Sequence, residues 1–374
     1  MDTDRWPLFH FFPTLRETLG PVNLCHLPSP VLSVDTFSDN AWIKRDDQNA
    51  DECGGNRMRQ LEFMLADIRR LNARHVVLLC ASESHAAVTT AAICQREKLR
   101  CDVITFDVNA QQCTTEAQHT RSQLEHYGAK VSAQKSLYLA LAQWLLHPLR
   151  LCKGSYFLHA GSVQPAAVYA HINAAIELAM QVDRGECPMP KHLVVAAGSG
   201  ATVAGLSLGA SLALPGCTVH AVQVAPATLG PLDLCNAMAV HRLRQRMWNE
   251  LIEHAPALQP EPDDNLVWHS NYFGDGCGGG YGVATLKSRL AKERAGRIGL
   301  ALNATCTGKA FAAFCDLLTQ SDEPTLFWST AHHGHDEQHQ AEGVGIAPTP
   351  SGKPQDSFIA DSASVILSAY KSTI

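Results

Sequence analysis

The sequence predicts an α/β protein whose sheets are mostly parallel and carry helices on both faces. Short, uniformly apolar runs recur along the 374 residues, and amphipathic or Ala-rich stretches of helical length separate them. Strands that alternate with such helices form βαβ units, and the crossover helices then cover both faces of the sheet. This covering explains why the runs are apolar throughout instead of alternating with polar residues.

The predicted elements follow one another in a regular alternation. Residues 75–80 (HVVLLC) predict a buried strand, and the Ala-rich stretch 84–97 that follows predicts a helix. The other predicted strands cover residues 101–106, 130–133, 156–160, 192–197, 218–224, 266–270 and 325–328. The other predicted helices cover residues 115–127, 136–149, 166–181 and 202–212.

The composition excludes several classes of protein. A net charge of −6 and a sequence pI of about 6.3 argue against binding to nucleic acids or anionic membranes, which needs a basic surface. We find no apolar run near the roughly 20 residues of a membrane span, and residues 1–5 lack the basic region of a signal peptide. The 13 cysteines form no CxxC pair, so we expect reduced thiols in a cytoplasmic protein.

A loop at residues 198–202 is the first candidate ligand site. Its sequence, Gly-Ser-Gly-Ala-Thr, follows an apolar strand and opens a predicted helix. Small residues allow backbone N–H groups to approach a ligand, and the amino end of a helix favours an anion. A tight turn without any ligand is an equally good interpretation of this motif alone. The dinucleotide fingerprint is not completed here, and the missing Gly-Lys-Ser/Thr excludes a P-loop.

Seven segments, in order from about residue 28 to residue 330, carry a resemblance to a known family. They are residues 43–47 (IKRDD), 54–62 (GGNRMRQLE), 84–85 (SH), 198–202 with 204–206 (AGL), 280–282 (GYG), 307–310 (TGKA) and 327–330 (FWST). Together they resemble the fold-type II pyridoxal-phosphate (PLP) enzymes, in the branch of D-cysteine desulfhydrase and 1-aminocyclopropane-1-carboxylate (ACC) deaminase. Such a resemblance indicates ancestry and fold, and it does not establish an activity.

The resemblance implies a two-domain architecture like that of the tryptophan synthase β subunit. A larger domain would comprise residues 1–69 and 166–335, a smaller α/β domain residues 70–165, and a C-terminal extension residues 336–374. The resemblance also implies a homodimer, and a ligand pocket between the domains at the carboxyl ends of the strands. Ten residues are predicted to contact the ligand: Asn56, Arg57, Ser84, Ser199, Gly200, Ala201, Thr202, Tyr281, Thr307 and Thr330.

Position 57 departs from the family pattern in a way that changes the chemistry. The family has a lysine after Gly-Gly-Asn, which forms a Schiff base with the cofactor, and here this residue is Arg57. A guanidinium has a pKa above roughly 12 and a delocalised lone pair, so it cannot form the Schiff base or remove the Cα proton. The sequence therefore predicts no tethered cofactor, and PLP could bind only non-covalently or through another lysine. Arg57 could instead hold a ligand carboxylate or phosphate, or form an ion pair with Glu83.

Other departures fall in the same predicted pocket. The family's Ser-Asn-His reads Glu83-Ser84-His85 here, and its site tyrosine reads Cys306. Glu83, His85 and Cys306 have the residue types of an orienting acid, a base and a nucleophile, so they are candidate catalytic residues. In the alternative interpretation, Glu83 only favours a helix start, His85 is an ordinary helix residue and Cys306 only packs.

A histidine-rich tract after residue 330 is a candidate metal site. His332, His333 and His335 are followed by His339, with two carboxylates between them. Imidazoles and carboxylates suit zinc, nickel or iron. We favour a solvated tail over a metal site, and so we predict no bound metal.

Three functions remain open from the sequence. The first is a divergent family member that binds a small ligand, amino-acid-like or bearing a phosphate or carboxylate, without ordinary Schiff-base chemistry. The second is an active PLP-dependent lyase or deaminase that acts on a small amino acid. The third is a regulatory or scaffolding pseudoenzyme that works through protein partners.

Overall fold

Two β-sheets organise the chain. The structure, a computed structural model, describes residues 5–50, 54–107, 115–151, 154–158, 163–229, 232–255, 264–274 and 280–330. The strands are β1 Val31–Ser33, β2 Ala41–Arg45, β3 His75–Ala81, β4 Arg100–Phe106, β5 Lys130–Gln134, β6 Ser155–Leu158, β7 His192–Ala197, β8 Thr218–Gln223, β9 Thr228–Leu229, β10 Leu232–Asp233, β11 Leu266–His269 and β12 Thr325–Ser329.

Eleven α-helices connect these strands within the described residues. They are α1 Leu8–Phe11, α2 Leu15–Leu19, α3 Asn56–Arg70, α4 His85–Arg96, α5 Thr115–His126, α6 Leu137–Leu145, α7 Pro165–Asp183, α8 Ala201–Ala213, α9 Ala237–His254, α10 Leu286–Gly296 and α11 Thr307–Leu318. Two 3-10 turns accompany them at Asp46–Gln48 and Pro148–Leu151. None of the helices in this described part is long and apolar enough to cross a membrane.

The larger sheet has the strand order β1-β2-β12-β7-β8-β11, and the smaller sheet has the order β5-β4-β3-β6. The pair β1–β2 is antiparallel, and the other pairs of these two sheets are parallel. A short antiparallel pair, β9–β10, lies outside both sheets. The predicted fold class, α/β with mostly parallel sheets, is confirmed. The predicted domain boundaries stay a prediction.

Helices cover both faces of each sheet. In β7, Leu193 and Val195 belong to a core with α7 and α8, whereas Val194 belongs to a second core with α11. In β3, Leu78 belongs to the first core and Val77 to a third core with α6. Neighbouring residues of a strand point to opposite faces, so a strand that is apolar throughout serves two cores at once.

Most predicted elements lie within a few residues of their observed bounds, and two differ for clear reasons. The helix predicted over residues 136–149 ends at Leu145, because Pro148 lacks an N–H group and disfavours helical backbone before it. The strand predicted over residues 156–160 corresponds to β6, Ser155–Leu158. Residues 159 and 160 of this prediction lie outside the described residues. Strand β2 was missed because residues 41–45 contain two charged side chains, and β1 was missed because it has only three residues.

Glycines allow α7 and α8 to pack closely under the candidate site. A Cβ atom built on Gly205 would lie 2.5 Å from the Cβ of His171, and one built on Gly209 would lie 2.7 Å from the Cβ of Ala175. Real Cβ contacts are not this short, so only glycine fits at these two positions without a shift. The close packing brings the side chain of His171 next to the first turn of α8.

Four buried charges fix the start of α3 against the 3-10 turn at Asp46 and against α7. Arg59 donates to Asp46 Oδ1 at 2.7 Å and to Glu177 Oε2 at 2.8 Å. Lys44 donates to Glu177 Oε1 at 2.6 Å, and Trp328 Nε1 donates to Asp46 Oδ2 at 2.8 Å. Two cations and two anions balance here, which offsets the cost of burying each one.

Candidate functional site

The candidate site lies where the two sheets turn their carboxyl ends toward the start of α3. Open parallel sheets bind ligands at this edge, because the loops after the strands meet there. The backbone N–H of Asn56, the first residue of α3, donates to the carbonyl of Thr330 just after β12, at 2.9 Å. The loop after β7 enters the site at Gly198, and the turn after β3 enters it at Ser82.

The loop after β7, residues 198–202, turns directly into the amino end of α8, and we call it the cradle. Gly200 has a φ of +91° and precedes the first residue of α8, Ala201. A side chain at Gly200 would be strained by this φ and would lie 3.0 Å from Val240 Cγ2. The first N–H groups of a helix have no partner inside the helix, and together with the helix dipole they attract a negative group. The geometry predicted for residues 198–202, a loop that opens a helix, is therefore present.

Asn56 and Thr202 join α3 to this cradle. Asn56 Nδ2 donates to Thr202 Oγ1 at 2.9 Å, and the same hydroxyl lies 3.2 Å from His171 Nε2. Gln60 Nε2 lies 3.1 Å from that imidazole nitrogen on its other side. The structure thus brings two predicted ligand residues together with two residues, Gln60 and His171, that the sequence analysis did not single out.

Arg57 begins this chain of contacts from inside the protein. Its side chain is only 5% exposed, and Nε donates to Thr90 Oγ1 at 3.0 Å while NH1 donates to Gln60 Oε1 at 3.0 Å. Burial lowers the pKa of Arg57 to about 10, against weaker opposing effects from groups such as the Cys80 thiol. Arg57 stays charged at neutral pH, and two of its nitrogens are directed at the protein interior. Whether it also pairs with Glu83 stays a prediction.

The direction of donation fixes the state of the buried imidazole. A guanidinium only donates, so Gln60 must present its carbonyl oxygen to Arg57 and its amide N–H group to His171. The Nε2 atom of His171 therefore accepts, and the ring proton is on Nδ1. Burial lowers the pKa of His171 to about 3, which keeps the ring neutral over the ordinary pH range. Neutral dipoles thus connect Arg57 to Thr202.

The two lysines that the family motifs place near the pocket are engaged elsewhere. Lys44 donates to the carbonyl of Ser29 at 2.8 Å and to Glu177, and it also contacts Gln181 Oε1. These three acceptors use the three hydrogens of its ammonium group. Lys309 donates to the carbonyls of Phe273 at 2.8 Å and Gly280 at 3.0 Å. Lys44 therefore pairs with a buried carboxylate, and Lys309 binds two backbone carbonyls.

The turn after β3 carries Glu83, Ser84 and His85. Ser84 caps α4, since its hydroxyl accepts from the N–H of Ala87 at 3.3 Å, and His85 is exposed as the first residue of the helix. Glu83 is half-buried, and its Oε2 atom lies 3.0 Å from the position of a Cβ built on Gly282. The structure therefore brings Glu83 against the Gly-Tyr-Gly segment, as expected for a shared cleft.

Cys306 and Thr307 start α11 on another side of the site. Cys306 is half-buried and accepts a weak hydrogen bond from Thr305 Oγ1 at 3.8 Å. Thr307 is buried, and its hydroxyl accepts from the N–H of Asn303 at 2.9 Å. The catalytic hypothesis for Glu83, His85 and Cys306 stays a prediction, as do the ten predicted ligand contacts.

Comparison with known proteins decides the family. A family model described as "Pyridoxal-phosphate dependent enzyme" matches residues 22–327, which is more than half of the chain. The chain belongs to this family of PLP-dependent enzymes. The D-cysteine desulfhydrase of Salmonella schwarzengrund (strain CVM19633) is 28% identical over an alignment of 350 residues, and the match covers 88% of this chain and 99% of that protein. The D-cysteine desulfhydrase of Klebsiella pneumoniae subsp. pneumoniae is 28% identical over 341 residues, 87% and 97% of the two chains.

Solved structures show the same fold. A structure described as an ACC deaminase homologue has a TM-score of 0.69 at 23% identity, and the match covers 85% of this chain and 93% of that chain. The serine racemase of Dictyostelium discoideum has a TM-score of 0.60 at 12% identity, with 87% and 98% covered. The predicted fold-type II architecture is confirmed by these similarities together with the family match.

The residues present fit one end of the family's cofactor and not the other. The phosphate end fits, because Gly200 leaves the backbone open and the amino end of α8 faces the cradle. The aldehyde end needs an unprotonated amine, and Arg57, Lys44 and Lys309 do not offer one in this structure.

Some predictions fall outside the described residues, and some site residues were missed. The tract with His332, His333 and His335 lies outside the described residues, and within them no group of three or more ligating side chains could hold a metal ion. Gln60 follows Arg57 by three residues, the spacing of neighbours on one helix face, and this signal was available. His171 was signalled as an ionisable residue in the largely apolar sequence of α7.

Proposed function

We propose that this protein binds a phosphate-bearing ligand non-covalently in the cleft and does not carry out the Schiff-base chemistry of its family. The ligand would be PLP itself or another small phosphate ester. The phosphate would lie at the amino end of α8, where the backbone N–H groups of the cradle can donate to it.

One observation carries the proposal, which is the placement of Arg57. This residue stands where the family motif has its Schiff-base lysine, and its guanidinium is buried against Thr90 and Gln60. A buried, hydrogen-bonded guanidinium is neither a nucleophile nor a base. We therefore replace the hypothesis that Arg57 clamps the ligand, and we assign it to the support of the cradle through Gln60 and His171.

Two phosphate ligands distinguish non-covalent binding in the cleft from covalent attachment to a lysine. PLP carries an aldehyde, and 4-deoxypyridoxine 5′-phosphate has a methyl group in its place and cannot react with an amine. Calorimetry with the full chain should give similar affinities for both. Borohydride reduces a Schiff base to a stable bond, so we treat the PLP complex with borohydride and analyse its peptides by mass spectrometry. No single lysine should carry one pyridoxal group per protein chain.

Matched variants locate the ligand. Thr202→Val keeps the side-chain shape and removes the hydroxyl that joins Asn56 and His171 at the first turn of α8, so it should disturb the cradle and weaken the binding of both ligands about tenfold. Thr319→Val, at the exposed end of α11, should leave both affinities unchanged. Stoichiometric pyridoxal on a single cleft lysine would contradict the proposal, as would the absence of phosphate binding.

A second candidate function is supported by the relatives. Matches to D-cysteine desulfhydrases cover nearly the full length of those proteins. An active lyase or deaminase on a small amino acid would need a lysine other than residue 57 to carry the cofactor. Release of sulfide and ammonia from D-cysteine by the purified protein, in the presence of PLP, would favour this candidate over the first.

Assembly and location belong to the same proposal. We infer a cytoplasmic location, since the nine cysteines that the structure describes are free thiols and suit a reducing compartment. We also infer a homodimer, which is what the resemblance to the family implies. The remaining alternative, a regulatory or scaffolding pseudoenzyme, would need a protein partner. Light scattering tests the dimer, and the expected mass is twice the 40.5 kDa of one chain.

A further inference from the structure

Three histidines form a continuous row across three neighbouring strands of the larger sheet. They are His192 on β7, His220 on β8 and His269 on β11, and we call them the histidine row. His192 Nδ1 lies 3.0 Å from His220 Nε2, and His220 Nδ1 lies 2.9 Å from His269 Nε2. Within the described part of the chain these side chains do not form a group that could hold a metal ion. Their contacts are therefore hydrogen bonds from ring to ring.

The histidine row joins an edge strand to the rest of the sheet. Among the described strands, β11 pairs with β8 alone, and it has only four residues. The central ring, His220, is 7% exposed, and the two outer rings are half-buried. Because so short an edge strand makes few backbone hydrogen bonds, the contact between His220 and His269 is a substantial part of its attachment.

A carboxylate and a hydroxyl lie at the β7 end of the row. Ser321 Oγ is 3.4 Å from His192 Nε2, which suits either a donating or an accepting ring nitrogen. Burial lowers the pKa of His192, and the charge of Glu323 only partly opposes this effect. The neutral ring is therefore favoured at this end.

The charges at the β11 end are already paired with one another. The ring centroid of His269 lies 6.3 Å from that of Tyr272, whose hydroxyl donates to Asp316 Oδ2 of α11 at 2.8 Å. Lys287 of α10 donates to the same oxygen at 2.9 Å. Burial alone would raise the pKa of Asp316, but Lys287, Tyr272 and Arg294 outweigh it and lower the pKa. A proton added to the row thus meets a carboxylate whose charge is offset.

Counting protons shows how much acid the row can take up. Three imidazoles have six nitrogens, and four of these face one another in the two contacts. Each contact needs one proton between its two nitrogens, and each of the two outer nitrogens can carry one more. The row therefore holds at most four protons with both contacts intact, and three neutral rings already carry three. One added proton is accommodated, whereas a second places two N–H groups face to face and breaks a contact.

Burial sets the pH range in which these protons enter. Burial and then the charges of His269 and His192 lower the pKa of His220 to about 4, and burial also lowers the pKa of His269. For a histidine whose folded-state pKa lies below the unfolded value of about 6.5, stability is fully present above pH 6.5. It is lost as the pH falls from 6.5 toward 4.

We propose that the histidine row is a pH-sensitive latch, which holds β11 on the sheet at neutral pH and releases it in mild acid when a second proton enters the row. Two charged rings side by side repel each other, and the contact that breaks most readily is the one to the edge strand. The proposal stands apart from the proposed function, because it concerns the edge of the larger sheet and requires no ligand.

Hydrogen–deuterium exchange of the full-length protein, followed by mass spectrometry, tests the latch. The exchange rate of the β11 amides, divided by the intrinsic rate at each pH, measures how often this strand opens. Opening of β11 should increase about tenfold from pH 7.5 to pH 5, because a ring whose pKa rises from about 4 to 6.5 on opening favours the open form. Helix α8, which contains no ionisable residue, should show no such increase.

Two variants assign the effect to the row. His269→Gln keeps a hydrogen-bonding side chain on β11 that cannot become charged, so the variant should lose most of the pH dependence of β11 opening. His241→Gln, at an exposed position of α9, should behave like the wild-type protein. Wild-type exchange of α8 at pH 7.5 shows that each variant is folded.

Several results would overturn the latch. They are β11 opening that does not change with pH in the wild-type protein, a wild-type pH dependence in His269→Gln, and an equal increase in β11 and α8, since acid would then act on the whole fold. If His269→Gln does not fold, slow exchange of the imidazole C2 hydrogens in the wild-type protein gives the pKa of each histidine instead. A pKa of His220 below 6.5 then supports the latch, and a pKa at or above 6.5 rules it out.

Discussion

Two arginines that lie two residues apart on α3 have opposite environments. Arg57 and Arg59 are 5% and 1% exposed. Burial alone would lower the pKa of Arg59, but Asp46 and Glu177 outweigh it and raise the pKa well above its ordinary value. Burial lowers the pKa of Arg57 to about 10, and the hydrogen-bond partners described for it, Thr90 and Gln60, are neutral.

The difference separates two uses of a buried cation. Arg59 is part of a balanced group of charges that joins α3 to α7 and to the turn at Asp46. Its removal leaves two buried carboxylates with Lys44 as the one cation described beside them. In its described contacts Arg57 orients dipoles, first Gln60 and then His171, on the way to the Thr202 hydroxyl. We therefore expect stability to depend mainly on Arg59 and the geometry of the cradle to depend mainly on Arg57.

The largest expected effect is the loss of Arg59. Arg59→Met should lower the free energy of unfolding by about 3–5 kcal/mol, because Asp46 and Glu177 remain buried and lose their shared cation. Urea unfolding followed by circular dichroism measures this. Arg69→Met, at an exposed ion pair on the same helix, is the control and should change stability by less than about 1 kcal/mol. A loss in Arg59→Met as small as in the control would remove the basis of the comparison.

Acid should reveal the same charge group. Burial alone would raise the pKa of Glu177, but Arg59 and Lys44 outweigh it and lower the pKa to about 2. A folded-state pKa below the unfolded value of about 4.5 means that stability is fully present above pH 4.5 and is lost as the pH falls toward 2. Urea midpoints measured from pH 6 to pH 2.5 should fall in this window.

The control for this prediction is Glu177→Gln. A glutamine cannot titrate, so the variant should be less stable at pH 6 and should lose less of its remaining stability in acid. Parallel curves for the wild-type protein and the variant would show that Glu177 does not carry the pH dependence.

The hydrogen bonds from Arg57 through Gln60 and His171 to Thr202 depend on the close packing of α7 and α8 more than on charge. A substitution at Gly205 tests this dependence. Gly205→Ala places a Cβ 2.5 Å from the Cβ of His171 and 2.6 Å from the carbonyl oxygen of Val168, so α7 and α8 must separate. We expect a loss of about 1–3 kcal/mol in the free energy of unfolding, typical of overpacking. Gly296→Ala, where the added Cβ meets nothing within 4 Å, should be neutral or slightly stabilising. Equal stability of the two variants would contradict close packing at His171.

The same contrast marks how far sequence patterns reach. Residues 192–197 were predicted as a strand and form β7 with the same bounds. A strand that packs against two cores is apolar throughout, so the apolar run is enough to predict it. β2 was not predicted, because Lys44 and Arg45 hide a buried strand from any count of apolar residues. Their charges are offset by Glu177 and Asp47, and only the folded structure shows these partners.

The candidate site was predictable to a similar extent. The loop at residues 198–202 could be recognised because its backbone geometry follows from local sequence, as Gly200 and the start of α8 show. The direction of the Arg57 side chain could not be recognised, because it depends on Thr90 of α4, which lies 33 residues further along the chain. The partners of a long side chain depend on which residues the tertiary structure brings within its reach. The identities of the neighbouring residues in the sequence do not reveal these partners.

The smallest expected effect is the loss of Arg57. Arg57→Met should cost only about 1 kcal/mol of unfolding free energy, because the two described hydrogen bonds of Arg57 go to neutral groups and the variant also avoids the cost of burying a guanidinium. The partners retain other contacts, since Thr90 donates to the carbonyl of Ala86 at 2.7 Å and Gln60 lies against His171. Urea unfolding beside Arg59→Met gives the comparison directly. Arg57→Met could instead lower the free energy of unfolding as much as Arg59→Met does. Arg57 would then also stabilise α3, and the assignment of stability to Arg59 and of cradle geometry to Arg57 would be wrong.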